Sequence, residues 1–483
     1  MRFFHFLCVM AACLGAQALA NKTLTIDPTS NFGTWEGWGA SLSWWAKAFG
    51  YRDDLADMFF SRRQHLFNGH VAVPGLGFNV VRYNAGASSY NVFQFSMMET
   101  SPNFRKTHHI EGFWLHWNEG WFSGKTWDWF VDPQQRAMMQ KAKERGADVF
   151  ELYSNSPMWW MCYNHNPSGS SGGTRDNLQS WNYDNHVHYL FEIAQQARFY
   201  WGITFQSIAP FNEPSSTWNG DNGTQEGCFY SPSTMDNIIH RLRDRLSDTD
   251  SPTFISGVEE HSYDRAISTW RSLNQTTKRI VKRINVHGYQ GQAGGRDELY
   301  RLARATRRRL WMSEYEDEDE TGVIMLMNIF SDFASLHPTA WVYRQVVDDP
   351  YKGLIVGDKE SLLLGIVNLK YFVLAQVSRH IRPGMRILAN PDNSSIAAYD
   401  ASKKKLAIVA ANWHSAPTRN ITFDLSRFGK LGPGASAIPR WSTEIGGTDR
   451  YVKYNDTKMT GGRFTVEFQY RQVQSFEVDD VTL

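Results

Sequence analysis

The sequence predicts an α/β protein, a (β/α)8 TIM barrel with an appended β-sandwich domain. Three observations predict it. Eight short apolar segments alternate with stretches of helical spacing over about 350 residues, the mark of parallel βαβ units closing into a barrel. Most of these segments end in polar or aromatic residues. After residue 384 the texture changes to short alternating strands with Gly- and Asn-rich turns between them, the pattern of a sandwich.

The chain opens with Arg2, an apolar run from Phe3 to Leu14 and the small-residue pattern Ala18-Leu19-Ala20. That order reads as a secretory signal over residues 1–20, too short for a membrane span. The mature chain is expected to be soluble, secreted and extracellular, with no membrane partner. Lys22–Asp27 has strand character, and residues 21–33 are assigned to the sandwich.

The barrel is placed over residues 34–384. Its strands are read at Thr34–Ser41, Asn79–Asn84, Asp148–Ser154, Phe205–Phe211, Thr253–Val258, Ile280–His287, Leu310–Glu314 and Thr339–Gln345. Helices are read at Gln134–Arg145, Tyr183–Phe199 and Ser233–Leu246, with the last one inside Ser361–His380. Arg382-Pro383-Gly384 breaks the pattern. Residues 385–483 then supply strands such as Ser395–Tyr399, Lys405–Asn412 and Arg463–Phe468. The Gly- and Ser-rich stretch Asn166–Asn177 reads as a mobile loop. The acidic run Glu314–Glu320 reads as a solvated edge except for Glu314, and the arginines of Arg301–Arg309 as an exposed helix face.

Composition narrows the function. The chain is 42% hydrophobic and 20% charged, enough apolar content for a large core and too little charge for disorder. A net charge of +1 argues against nucleic acid as a partner and suits a neutral polysaccharide. Nineteen Trp, some clustered as Trp44-Trp45 and Trp159-Trp160, are hard to bury completely and suit stacking against sugar rings. There is no His-Glu-x-x-His, Cys-x-x-Cys, Gly-x-Ser-x-Gly or Walker motif. No cofactor and no metal is expected, and the protein is expected to be a monomer.

The chemistry centres on two glutamates about a hundred residues apart, each ending a strand. Glu213 lies in Ala209-Pro-Phe-Asn-Glu-Pro214 on strand four, and Glu314 in Leu310-Trp-Met-Ser-Glu-Tyr315 on strand seven. Barrel active sites lie at the C-terminal strand ends, and glycosidic hydrolysis uses two carboxyls flanking the bond. Asn212 is placed to contact a sugar hydroxyl. Glu213 is expected to be the acid/base, with a raised pKa, and Glu314 to stay ionised and attack.

Other strand ends converge on the same mouth. Arg82 is placed to orient a carboxylate and Asn84 to contact sugar. Tyr153 to Met161, including Asn155 and Trp159, forms an aromatic shelf. His287 is placed to tune Glu213, Tyr289 to hydrogen-bond Glu314, and Trp341 to floor a sugar ring. Cys162 and Cys228, left after the signal is removed, are expected to form a disulfide closing a loop of about 66 residues. The sequons at Asn21, Asn222, Asn274, Asn393, Asn420 and Asn455 suit a glycosylated secreted protein.

These motifs resemble glycoside hydrolase family 30 over nearly the whole mature chain. Gly37-Trp38-Gly39-Ala40, the Ser156–Met161 segment, Asn212-Glu213-Pro214, Ser313-Glu314 and Trp341-Val342-Tyr343 carry the resemblance. It implies a retaining enzyme with Glu213 as acid/base and Glu314 as nucleophile, on a barrel joined to a sandwich that includes the N-terminal strand. Trp38 stands where the family usually has Phe, which leaves the nearest subsite open. The aromatic loops at Trp114–Trp129 and Trp159–Tyr163 are most similar to those of fungal endo-β-1,6-galactanases. That similarity implies cleavage of β-1,6-galactan side chains of arabinogalactan proteins. An endo-β-1,6-glucanase is the alternative within the family, and a non-catalytic carbohydrate-binding barrel the alternative of another class.

Overall fold

A computed structural model describes residues 21–117, 126–389, 392–413, 418–432 and 437–483. The expected signal segment, 1–20, lies outside the described residues, as does part of the Trp114–Trp129 loop.

Eight parallel strands close into a barrel. They are β1 (Gly37–Ser41), β2 (Val80–Asn84), β3 (Val149–Tyr153), β4 (Ser207–Ala209), β5 (Phe254–Glu260), β6 (Arg283–His287), β7 (Arg309–Tyr315) and β8 (Ala340–Tyr343). Each pairs with the next, and β8 pairs back onto β1, with Trp341 opposite Trp38. All eight lie within or overlap the segments read from the sequence. Between them run helices that include Pro133–Glu144, Tyr183–Tyr200, Pro232–Ser247 and Arg296–Ala305. Several starts are capped as their residue types allow. Ser231 accepts from the Thr234 amide at 3.3 Å with Pro232 in the first turn, and Asn274 accepts from the Thr277 amide at 2.7 Å.

The barrel interior is polar, and this polarity is what positions the site. Arg82 on β2 donates to Glu151 at 3.1 Å, Glu259 at 3.0 Å and Glu314 at 3.1 Å. Below it, Arg283 donates to Glu151 and, at 2.6 Å, to the Ser207 hydroxyl. Buried charge is tolerable only when every lone pair and proton finds a partner, and here the partners come from six different strands. Aromatic rings flank this column, with the Arg82 guanidinium 4.2 Å from the Tyr153 ring centroid and that of Arg283 3.2 Å from Trp311.

The sandwich packs a three-stranded sheet of Lys22–Thr25, Thr418–Asp424 and Arg463–Gln469 on a six-stranded sheet. Lys22–Thr25 runs parallel to Thr418–Asp424, with Leu24 opposite Phe423. Leu24, Phe423, Phe464, Phe468 and Phe476 share its core. Helix Leu369–Ser378 is buried along nearly its whole length between barrel and sandwich, which suits its mostly apolar sequence, and its buried polar residues Lys370 and Gln376 find partners. Its Gln376 amide donates to Thr443 at 2.8 Å and its carbonyl accepts from Ser475 at 2.8 Å.

Two loops differ from their sequence reading. Asn166–Asn177 is tied down: Asn166 donates to the Gly220 carbonyl at 2.9 Å, and Asn177 donates to the Asn166 carbonyl at 2.9 Å. In the acidic run, Glu316 is buried against Arg344, and Asp317 pairs with the buried Lys370 at 2.9 Å. Basic partners more than 25 residues away in sequence draw these carboxylates inward.

The two thiols also depart from expectation. Cys162 and Cys228 are both free and buried. Their sulfurs face backbone carbonyls, with Cys162 Sγ 3.8 Å from the Met158 oxygen and Cys228 Sγ 3.4 Å from the Phe229 oxygen. The rim is held by other bonds, chiefly those of Glu226. Its carboxyl accepts from Asn84 at 3.1 Å, Ser88 at 2.9 Å and the amides of Ala87 and Ile110 at 3.1 and 3.2 Å.

Candidate active site

The chain leaves β4 after Ala209, and the turn that follows aims Glu213 over the barrel mouth. Glu213 adopts a left-handed φ of +46°, which a side chain tolerates only when neighbours hold it. Its amide donates to the Glu259 carbonyl at 2.7 Å, and its carbonyl accepts from the Trp218 indole at 2.9 Å. The carboxylate is held as firmly. Oε1 accepts from His261 Nδ1 and from His287 Nδ1, each at 3.1 Å, and Oε2 accepts from Ser216 at 3.3 Å.

Glu314 extends from β7 toward it. Oε2 accepts from Arg82 at 3.1 Å and Oε1 from the Tyr289 hydroxyl at 2.9 Å, while Arg344 Nε stands 3.6 Å from Oε1. Both carboxyl groups are nearly buried. A Glu213 oxygen, a His287 nitrogen and a Glu314 oxygen lie within 4.8 Å of one another.

His287 ties the pair together. Nδ1 faces Glu213 and stands 3.7 Å from Glu314, and Nε2 faces Glu259 at 3.0 Å. Burial alone would lower its pKa. The charge of Glu314 and the hydrogen bonds of Glu213 and Glu259 outweigh that and raise it to about 10. His287 is therefore an imidazolium at neutral pH that donates from both nitrogens. Glu213 shows the converse: burial would raise its carboxyl, but the hydrogen bonds of His261 and His287 hold it well below the usual range. This corrects the expectation of a raised pKa, because a buried carboxyl is raised only when no cation faces it. Glu259, opposed by burial but held by Arg82 and His287, is drawn down to about 2. Tyr289 is raised by burial and by Glu314, so it remains a neutral donor.

Opposite charges meet across the site, where Arg344 serves both Glu314 and Glu316. Glu151, Glu213, Glu259 and Glu314 face Arg82, Arg283, His287 and Arg344. Glu213, His287 and Glu314 are the one group among the described residues with spacing for a metal ion. Arg82 and Arg344 beside Glu314, and the proton on His287, oppose a cation there.

The structure separates the remaining expected contacts. Asn212 and Asn155 are buried beside the mouth, and Asn212 Oδ1 has no hydrogen-bond partner among the described residues. Asn84 is committed internally, donating to Glu226 and accepting from the Asn155 amide at 3.3 Å. Arg82 binds carboxylates at the barrel axis and is fully buried. Trp38, Trp159 and Trp341 are at most 1% exposed, which corrects the expectation that they bind substrate. Trp38 and Trp341 are register partners facing the helix layer, with their indoles donating to the Ile381 carbonyl at 2.8 Å and to Asp332 at 3.1 Å. Trp159 donates to Ser89 at 2.6 Å.

Four groups at the site escaped sequence reasoning: Glu259, His261, Trp218 and Arg344. Glu259 and His261 directly follow the apolar run of β5, which is the same strand-end signal that marked Glu213.

Residues 21–279 match the model of O-Glycosyl hydrolase family 30. An endo-beta-1,6-galactanase of Hypocrea rufa is 56% identical over 472 residues, covering 98% of each chain. The chain belongs to glycoside hydrolase family 30. Solved structures agree with the family 30 fold. A conserved exported protein from Bacteroides fragilis superposes with a TM-score of 0.78 at 18% identity, covering 95% of this chain and 100% of the other. A family 30 subfamily 8 xylanase from Clostridium acetobutylicum superposes with a TM-score of 0.68 at 19% identity, covering 95% and 99%. As a family 30 member the chain is an O-glycosyl hydrolase, and its substrate is a glycoside.

Proposed function

We propose that the protein is a secreted, retaining endo-β-1,6-galactanase acting on the β-1,6-galactan side chains of arabinogalactan proteins. The 56% identity to the Hypocrea rufa galactanase, end to end, supports the substrate. The observation that carries the mechanism is the approach of Glu213 and Glu314 oxygens to within 4.8 Å. Retaining enzymes hold their carboxyls about 5–5.5 Å apart, and inverting ones leave about 6.5–9.5 Å for a water.

In the first step a Glu314 oxygen bonds to the anomeric carbon while the bond from that carbon to the leaving oxygen breaks. Glu213 gives its proton to the leaving oxygen. Glu213 rests ionised, so that proton comes from His287 Nδ1, 3.1 Å from Oε1. In the second step Glu213 takes a proton from water and passes it back to His287 Nδ1, the water oxygen bonds to the anomeric carbon, and the bond from that carbon to Glu314 breaks, which restores both carboxylates and the imidazolium. Arg82 and Tyr289 hold Glu314 in line, and Asn212, with its open acceptor, is placed for a hydroxyl beside the reacting carbon. All six sequon asparagines are exposed, which supports a glycosylated, secreted chain.

The test is an assay of purified protein on β-1,6-galactan and β-1,6-glucan, with the first product anomer read by proton NMR. Rapid release of β-anomeric galacto-oligosaccharides of several lengths is expected. Turnover of glucan in preference to galactan, or an α-anomeric first product, would overturn the substrate or the mechanism respectively.

A further inference from the structure

Beyond the two glutamates, the loops after β2 and β3 enclose a cavity of about 360 Å³ that shares no residue with the catalytic pair. Three indoles border it, those of Trp117, Trp160 and Trp181, together with the polar side chains of Gln94, His165 and Asn185. Trp160 is buried, and its N–H donates to the Trp114 carbonyl at 2.8 Å, so this wall is rigid. Trp181 and Trp117 are left 67% and 45% exposed. Large aromatic surface held in water beside a concave polar site is a mark of a ligand site.

The polar side of the cavity is oriented in advance. Asn185 donates to Asn182 at 2.7 Å, Asn182 donates to Gln179 at 2.5 Å, and Gln179 donates to the Cys162 carbonyl at 3.1 Å. This relay uses the Asn185 amide nitrogen. The Asn185 carbonyl and the His165 ring nitrogens have no hydrogen-bond partner among the described residues. At the rim, Phe93 and Ser96 exchange both backbone hydrogen bonds at 2.9 Å around a two-residue turn. The turn residues Gln94 and Phe95 both carry positive φ, +48° and +63°, where glycine or asparagine is the usual choice. Local strain of this kind, kept beside an open cavity, is characteristic of binding loops.

The lining also selects the ligand. Among the described residues it contains no Asp, Glu, Lys or Arg. Indole faces match the C–H face of a pyranose, and amides match its hydroxyls, whereas a uronate or phosphate would find no countercharge. We infer that this cavity binds a neutral hexopyranosyl unit of the polysaccharide, away from the bond being cut, and so anchors long chains. The choice of galactan as that polysaccharide rests on the proposed function; the site itself does not.

Trp181→Ala and Asn185→Ala test it. Both variants should keep the wild-type melting temperature and unchanged turnover of an aryl β-1,6-galactobioside, whose reacting bond lies at the catalytic pair and not among the residues lining the cavity. KM for polymeric β-1,6-galactan should rise about tenfold, the loss of one stacked aromatic contact. An unchanged KM for polymer in folded Trp181→Ala would overturn the inference. If wild-type protein cuts no β-1,6-galactan, the functional reading fails separately. The cavity is then judged by calorimetry with neutral β-linked hexo-oligosaccharides: binding weakened by Trp181→Ala supports it, and binding equal in wild type and variant overturns it.

Discussion

His287 Nδ1 lies 3.1 Å from Glu213 Oε1, and the charge of Glu314 with the hydrogen bonds of Glu213 and Glu259 raises the pKa of the imidazole. In the proposed mechanism the buried carboxyl that serves as the acid is kept ionised at rest, beside a cation that can recharge it, so the acid is the pair.

The pH dependence of stability follows from the signs of the two shifts. His287 is raised from 6.5 to about 10, so its contribution is full below about pH 6.5 and is lost as pH rises through about 10. Glu213 is depressed, so its contribution is present above the ordinary glutamate pKa and is lost as pH falls toward its folded value. Both are fully present only in mildly acidic solution. Melting temperatures measured across pH should peak there, and His287→Asn should flatten the fall on the alkaline side.

The same variant should move the activity profile. With His287 in place, the proton of the pair is held to high pH. Without it, Glu213 must hold the proton alone, and the alkaline limb of kcat/KM should move at least one pH unit toward acid. A pH–rate profile of His287→Asn checks this, and an unmoved limb would argue that His287 serves only as packing.

Glu314→Gln should reduce turnover to background with the fold intact. Glu213→Gln should lower kcat by about a hundredfold to ten-thousandfold, the range for a lost general acid. In Glu213→Ala acting on an aryl galactoside whose leaving group needs no proton, azide should restore turnover and give a glycosyl azide of retained configuration, since an anionic nucleophile needs no base for the second step. Product NMR reads that outcome.

Arg82→Met should destabilise the protein by about 3–5 kcal/mol in denaturant titration, because Glu151, Glu259 and Glu314 would each lose a buried partner. Asn212→Ala should behave oppositely. Its Oδ1 has no internal partner, so stability should hold while kcat/KM falls about tenfold to a thousandfold.

Cys162 and Cys228 should both react with a thiol reagent after unfolding without reductant, and slowly or not at all in the native protein. Their pKa values are pushed up, foremost by burial, which also suppresses reactivity. A blocked pair after unfolding would restore the bridge.

Apolar segments bounded by turns located all eight barrel strands, because the core of a parallel barrel demands such runs whatever lies at their ends. The contacts of Tyr289 with Glu314 and of His287 with Glu213 were also legible, since residues at neighbouring strand ends meet at one mouth. Glu259 was not, because the apolar run of β5 stops at Val258 and the acidic residues beyond it resemble a loop. The tryptophans misled for a different reason. Composition says that an indole needs a surface to pack on, but only the pleat says whether that surface is a sugar or a helix. Trp38 and Trp341 fall on the outward side. The pKa of Glu213 was misjudged because an acid/base role calls for a raised value, whereas the hydrogen bonds of His261 and His287 outweigh burial and lower it.

The pairing of Lys22–Thr25 with Thr418–Asp424 has a consequence for how the protein is made. Nearly the first strand to emerge from the ribosome must wait for a partner almost four hundred residues behind it. During that interval Leu24 and Ile26, both buried at the end, lie in water beside an unpaired edge. A chain cut short before residue 418 has no means of covering them, even if its barrel is whole. The strand thereby acts as a check on completion, tying the maturation of the catalytic unit to the arrival of roughly the last seventh of the chain.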